Sequence, residues 1–204
     1  MTAADFAGGR LTRDFYDRGS LQLAPLLLNK LLVRGSRIGR IVEVEAYCGD
    51  ADPAAHSYRG VTKRNAAMFG PPGHLYVYFT YGMHWCANVV CGPEGAGLAV
   101  LLRAVAPLSG LPAMRRCRPA AKSDRDLCSG PAKLSQAFGI TGAHDGADLA
   151  ARSSPIYLAD DGTSPPPQPA CGIRVGISAG VHEPWRWWVR GDPNVSRPSG
   201  ASRA

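Results

Sequence analysis

Two stretches of the chain hold residue types that could do chemistry on a ring. The first is Arg40-Ile41-Val42-Glu43-Val44-Glu45-Ala46-Tyr47, with His56 nine residues on. The second is Gly73-His74-Leu75-Tyr76-Val77-Tyr78-Phe79-Thr80-Tyr81-Gly82-Met83, leading to Asn88. Each reads as a strand that delivers polar and aromatic groups to its end. Together they offer a carboxylate, an imidazole, tyrosines and an amide, a set suited to gripping a flat, hydrogen-bonding ring and hydrolysing a bond to it. A carboxylate in a Val/Ile-rich strand is costly unless paired or placed at a site edge. Glu43 and Glu45 therefore read in two ways: both solvated on a wet strand face, or one a general base and the other an orienting group. The tyrosines divide likewise, between core packing and platforms for stacking a base. Tyr81, beside Gly82 at a tight turn, is either a core side chain or a wedge.

Other residues are weaker taken singly. His56 could be a surface loop residue, and Asn88 could sit at a strand edge. Arg103 lies in an apolar strand, where a guanidinium wants a carboxylate, with Glu43 or Glu45 the natural candidate. Ser129-Gly130-Pro131 followed by Lys133 offers free N–H groups and a positive charge, serviceable for a phosphate or simply a helix start. Arg115, Arg116, Arg118, Lys122 and Arg125 form a basic stretch, either a solvated loop or a contact to a nucleic-acid backbone.

These groups need elements to position them. Leu21 to Asn29 reads as a helix capped by Ser20. From Ile38 to Tyr47 the pattern alternates, with Val42, Val44 and Ala46 on one face and Ile41, Glu43, Glu45 and Tyr47 on the other. Cys48 to Gly73 is a long, turn-rich loop of the kind that carries function. Leu75–Thr80, His84–Val90 and Leu98–Val105 predict an antiparallel meander. Pro112–Arg118 predicts a short helix. Another should run from Pro131 to Phe138, capped by Ser129 and stopped by Gly139. Ile173–Ser178 and Trp185–Arg190 read as closing strands. The fold class is α+β, a single domain over residues 1–204 with its ordered core at about 11–191 and a frayed tail from Asp192 to Ala204.

Composition narrows the classes. Lys+Arg exceeds Asp+Glu by 23 − 16 = 7, with a sequence pI near 9.3, which favours polyanionic partners. Met1 to Arg10 lacks the basic start and apolar run of a secretory signal. Leu21–Val33, the most apolar stretch, is interrupted by Gln22, Pro25, Asn29 and Lys30 and too short to span a bilayer. The six cysteines contain no Cys-x-x-Cys pair, and the five histidines no metal-binding pattern, so reduced thiols and no metal are expected.

At these residues the chain resembles the alkyladenine (3-methyladenine) DNA glycosylase family. The matching stretches are Gly39 to Tyr47, Ala54-Ala55-His56-Ser57, Arg64 to Phe69, Pro72 to Tyr78, Tyr81-Gly82-Met83 with Asn88, Val100 to Ala104, Leu127 to Leu134, Arg174-Val175-Gly176 and Trp188 to Gly191. They are in order and cover roughly residues 11 to 197. The resemblance implies a curved antiparallel sheet flanked by short helices. It implies Glu45 as the general base that activates water, with Arg103 and the backbone carbonyl of Val175 holding that water. Tyr47, His56 and Tyr78 resemble the walls around a flipped base, and Asn88 the amide that crowds an exocyclic amino group. Tyr81 resembles the duplex wedge with Met83 beside it, while Thr62, Arg64, His84 and Lys133 fall at DNA-backbone contacts. Lys63 stands where a proline is common in the family, and His84-Trp85 where other aromatics occur.

The function so implied is removal of alkylated or deaminated purines from double-stranded DNA by hydrolysis, without strand cleavage and without a cofactor. A monomer with no membrane partner is expected, in a reducing cytoplasmic or nucleoid-associated setting. A non-catalytic nucleic-acid-binding module and a hydrolase of free nucleosides are the rivals. The first leaves a buried Glu45 unexplained, and the second leaves the charge of +7 unexplained.

Overall fold

The computed structural model describes residues 9–196. The apolar run that begins at Leu21 divides in two because Asn29 adopts a left-handed conformation (φ 68°) that ends a helix and turns the chain into a strand. The helices are α1 (Arg13–Tyr16), α2 (Ser20–Leu27), α3 (Leu111–Cys117), α4 (Asp124–Cys128) and α5 (Pro131–Phe138). The strands are β1 (Gly9–Arg10), β2 (Leu31–Arg34), β3 (Arg37–Cys48), β4 (Leu75–Thr80), β5 (His84–Cys91), β6 (Leu98–Ser109), β7 (Ile156–Asp160), β8 (Ala170–Gly172) and β9 (Arg186–Trp188).

The nine strands of the described residues form one antiparallel sheet in the order β1-β7-β2-β3-β6-β5-β4, with β9 also pairing β3, and β8 pairing β9. The sheet curls into a half-barrel. On one side Leu23 and Leu27 of α2, and Leu134 and Phe138 of α5, bury themselves against Val44, Val89 and Leu102. Hydrophobic burial on this scale, about 1.5–3 kcal/mol per large side chain, makes that face the core. The other face carries two smaller apolar clusters, Leu31, Val33, Ile38 and Ala159, and Met68, Tyr76, Val90 and Ala99, together with polar and aromatic groups.

One irregularity decides which residues reach that second face. Between β3 and β6 the register runs Ile41↔Val105, Glu43↔Ala104, Val44↔Leu102, so Val42 and Arg103 have no Cα partner across this pair. These are two compensating bulges, and each shifts the phase of alternation. Ile41 therefore packs in the same core as Val44 and Ala46, and Val105 in the same core as Val100 and Leu102. The expected grouping of Ile41 with Glu43, Glu45 and Tyr47 is corrected by this phase shift.

The predicted meander is present, with β5 and β6 longer than expected, and α5 stops at Gly139 (φ 68°). Four details differ. Gly130, not Ser129, occupies the N-cap of α5, and Gly19 that of α2, while the Ser20 hydroxyl lies 3.3 Å from the Cys48 sulfur. Ile173–Ser178 is not a strand. The closing strand is Ala170–Gly172, and the chain beyond it is irregular because Arg174 turns inward to a buried carboxylate. Fraying does not begin at Asp192: Ser196 is buried, held by two hydrogen bonds to Glu43. Residues 197–204 of the expected tail lie outside the described residues, as do residues 1–8. Among the described residues no helix is long and apolar enough to cross a membrane.

Candidate functional site

Glu43 and Glu45 are both wholly buried, so the solvated-face reading fails for each. Arg103, projecting from its bulge, lies between them. Its Nε donates to Glu43 Oε1 at 2.9 Å, and its Nη1 makes an ion pair with Glu45 Oε1 at 3.1 Å. Glu43 also accepts from Arg186 Nε (2.7 Å), the Ser196 hydroxyl (2.8 Å) and the Ser196 N–H (2.6 Å). Burial alone would raise its pKa, but Arg103, Arg186 and the Ser196 bonds outweigh burial and hold Glu43 below the usual carboxylate range.

Glu45 has fewer donors. Val175 N–H donates to its Oε1 at 2.7 Å and the Tyr47 hydroxyl to its Oε2 at 3.1 Å. Here burial wins over Arg103, Val175 and Tyr47, and the carboxyl is pushed up. Two glutamates two residues apart are thus pushed in opposite directions: Glu43 toward the anion, Glu45 toward a more basic carboxylate. Such a divergence between neighbouring acids is typical of a catalytic pair.

Above Glu45 lies a cavity of about 500 Å³ whose lining includes Tyr47, His56, Tyr76, Tyr78, Asn88, Arg103 and Val175. Tyr47, Arg103 and Val175 both line this cavity and touch Glu45, which places the carboxylate under its floor. His56 Nδ1 is 2.8 Å from the Tyr76 hydroxyl, and its ring meets Tyr78 edge-on at 4.4 Å. Burial, then the nearby Arg64, lowers the His56 pKa, which favours the neutral ring. Tyr76 and Tyr78 stack on one another at 5.6 Å. Asn88 is buried and donates Nδ2 to the Tyr76 carbonyl at 3.2 Å, which fixes its amide at the cavity wall. The structure thus brings Glu45, Arg103, Val175, Tyr47, His56, Tyr78 and Asn88 together around one space.

Sequence reading missed the pair that braces this space. Arg174 and Asp52 are fully buried and joined by two bonds, Nη1 to Oδ2 at 2.5 Å and Nη2 to Oδ1 at 2.8 Å. Arg174 also donates to the Ala46 carbonyl and stacks its guanidinium 4.8 Å from the Tyr47 ring. Asp52 accepts from the N–H groups of Cys48 and Ala54. The pair therefore ties the end of β3 to the segment that presents Val175. An arginine beside the apolar Ile173 and Val175 was the available signal, since a buried cation demands an anion.

The rim holds the remaining candidates. Tyr81 is 78 % exposed, which excludes the core reading, and Met83 and His84 are exposed beside it. Tyr81 (φ 50°) and Gly82 (φ 66°) are both left-handed, and the Met83 N–H closes the turn onto the Thr80 carbonyl at 3.2 Å. A bulky residue in this conformation is strained, a condition found where function requires it. Thr62 and Arg64 are exposed on the long loop, where Arg64 donates to the Phe79 carbonyl at 2.7 Å and links the loop to the hairpin. Lys133, in the first turn of α5, is held by Asp126. The basic stretch is partly neutralised, with Arg115 paired to Asp124 and Arg118 near Asp126. Among the described residues no cluster of His, Cys, Asp and Glu is placed to hold a metal ion.

Comparison with known proteins bears on what this arrangement does. The family described as methylpurine-DNA glycosylase matches residues 14–193. A Burkholderia lata protein named "Putative 3-methyladenine DNA glycosylase" is 58% identical over 197 residues, covering 96% of this chain and 95% of its own. Proteins of the same name from Rhodopseudomonas palustris (50% identical over 199 residues, 97% and 96% covered) and Streptomyces avermitilis (49% over 193 residues, 91% and 90% covered) are also similar.

Proposed function

The chain belongs to the methylpurine-DNA glycosylase family, and from that membership we propose that it excises 3-methyladenine-type and related damaged purines with a water activated by Glu45. It is a DNA glycosylase for alkylated bases, a hydrolase of DNA repair. A glycosidic bond inside a stacked duplex is out of reach, so the nucleotide must rotate out, at a cost of a few kcal/mol that is smaller for a damaged base. Tyr81, with Met83 beside it, fills the vacated space. Thr62, Arg64, His84 and Lys133 hold the backbone. The base enters the cavity between Tyr47 on one side and His56 and Tyr78 on the other. Asn88 crowds the position that a guanine 2-amino group would take.

The departing purine leaves positive charge on the sugar. Glu45 stabilises that charge and takes a proton from water. Arg103 and the Val175 carbonyl orient the water. Its oxygen forms the new bond to the anomeric carbon as the bond to the purine nitrogen breaks with its electron pair. Among the described residues no lysine lines the cavity to form an imine with the sugar, which supports a reaction that leaves an abasic site without cutting the strand.

The observation that carries this reading is the buried Glu45, its pKa raised, beneath an aromatic-lined cavity with room for a base. Glu45→Gln should bind a duplex with a single lesion as tightly as the unaltered enzyme and lose single-turnover base release by at least ~10²-fold. A variant as fast as the parent would overturn the assignment.

A further inference from the structure

Glu43 lies below the cavity, touches no part of its lining except through Arg103, and is nonetheless among the most heavily bonded side chains described. Four donor groups on three side chains and one backbone N–H converge on its two oxygens. The bulges at Val42 and Arg103 serve the same junction, since they place Arg103 on the face that holds both glutamates. A buried ion triad of this kind is a weak source of stability, because desolvation consumes most of the Coulombic gain. A regular apolar pairing at these positions would be simpler, so the triad calls for another explanation.

We infer that Glu43 is a positioning residue acting through Arg103: it anchors the guanidinium by Nε and shares its charge, so that Glu45 meets a partly neutralised partner. Arg103 does two tasks that conflict. It must lie against Glu45 to orient water, yet a full, unshared positive charge at 3.1 Å would hold Glu45 as a stable anion with little appetite for a proton. Glu43 resolves the conflict by binding the other edge of the same guanidinium. Arg186 and Ser196 in turn hold Glu43 ionised, so the division of charge is set by structure. The inference rests on the proposed role of Glu45 as base.

The groups facing Glu45 come from every surrounding element. Arg103 comes from β6, Glu43 and Tyr47 from β3, and Tyr78 and Cys86 from β4 and β5. Arg186 of β9 is its register partner, and Arg174 and the Val175 N–H come from the segment after β8. Of these, Glu43 and Arg186 alter the charge on Arg103 without lining the cavity.

The test is the carboxyl titration of Glu45, read by NMR on protein with carbon-13-labelled glutamate, alongside the pH profile of single-turnover excision. Glu43→Gln keeps the shape and removes the charge, and should move both the titration and the acid limb of the rate down by about one pH unit or more. Plateau activity should fall about tenfold, with little change in duplex affinity. Glu43→Asp keeps the charge and should leave the acid limb near that of the parent enzyme. Arg186→Met removes a cation from the far side of Glu43 and should move Glu45 in the opposite direction, upward. A folded Glu43→Gln protein with an unmoved titration would overturn the inference. If that variant does not fold, an unmoved titration in Arg186→Met does the same. Failure of the Glu45 role itself is read separately, as excision that survives in Glu45→Gln.

Discussion

At the scale of single residues, the fold gives two acids of one strand opposite surroundings. Because burial raises the Glu45 pKa, its ionised form is disfavoured by the fold. Its sign has two consequences. With Glu45 as the proposed base, excision should be lost as pH falls through its folded pKa, so the acid limb for a cationic lesion should lie above the ordinary glutamate value of about 4.3. For stability the sign is reversed. A raised folded pKa contributes stability that is full below the unfolded pKa and lost as pH rises through the folded one. Glu45→Gln should therefore melt no lower than the parent enzyme at neutral pH, with any advantage vanishing in acid, as thermal denaturation across pH would show. Asn88 makes a separate prediction. Its amide is held at the cavity wall by a bond to the Tyr76 carbonyl, so Asn88→Ser should raise excision of guanine-type bases relative to hypoxanthine and leave the acid limb in place. Equal selectivity in competition assays would return Asn88 to a purely structural part.

At the scale of elements, the hairpin β4–β5 turns through a strained backbone. Two successive positive φ values are the pattern of a type I′ turn, for which Asn-Gly is the favoured pair, yet the chain places Tyr-Gly there. Tyr81→Asn should stabilise the protein by about 1 kcal/mol in denaturant titrations and weaken capture of a flipped base. A large loss of stability would show that the exposed ring supports the fold. The hairpin was legible beforehand because alternating Leu75, Tyr76, Val77 and Tyr78 and a glycine turn are local signals. The candidate residues on β3, β5 and β6 stood out for the same reason, as polar groups in apolar strands. What was not legible depended on distant partners. The phase shift at Val42 arises only when β3 meets β6, and nothing in Ile41-Val42-Glu43 announces it. The segment after β8 reads as a strand from Ile173 to Ser178 until Arg174 finds Asp52, 122 residues away. Separating that pair leaves an uncompensated buried charge, so Asp52→Asn should cost about 3–5 kcal/mol and slow excision through displacement of Val175 and Tyr47.

At the scale of the whole molecule, the surplus of seven positive charges predicts affinity for duplex DNA that falls steeply with salt. The distribution of charge refines this, since several of the cations are already engaged. Lys133 is held by Asp126, with Arg118 near the same carboxylate. Lys133→Ala should flatten the slope of log affinity against log salt by about one phosphate contact. Asp126→Asn should instead tighten binding to damaged and undamaged duplex alike. An unchanged slope in the first variant would place the start of α5 away from the DNA.

The paired bulges of β3 and β6 also constrain how a gene for this protein can change length. A one-residue insertion or deletion in either strand alone would put Glu45 or Arg103 on the helix-covered side of the sheet. Only matched events in both strands, as at Val42 and Arg103, preserve the junction. Segments of the genome separated by some sixty codons are thus bound to gain or lose codons together, while the long loop between β3 and β4 is under no such restriction from the pairing.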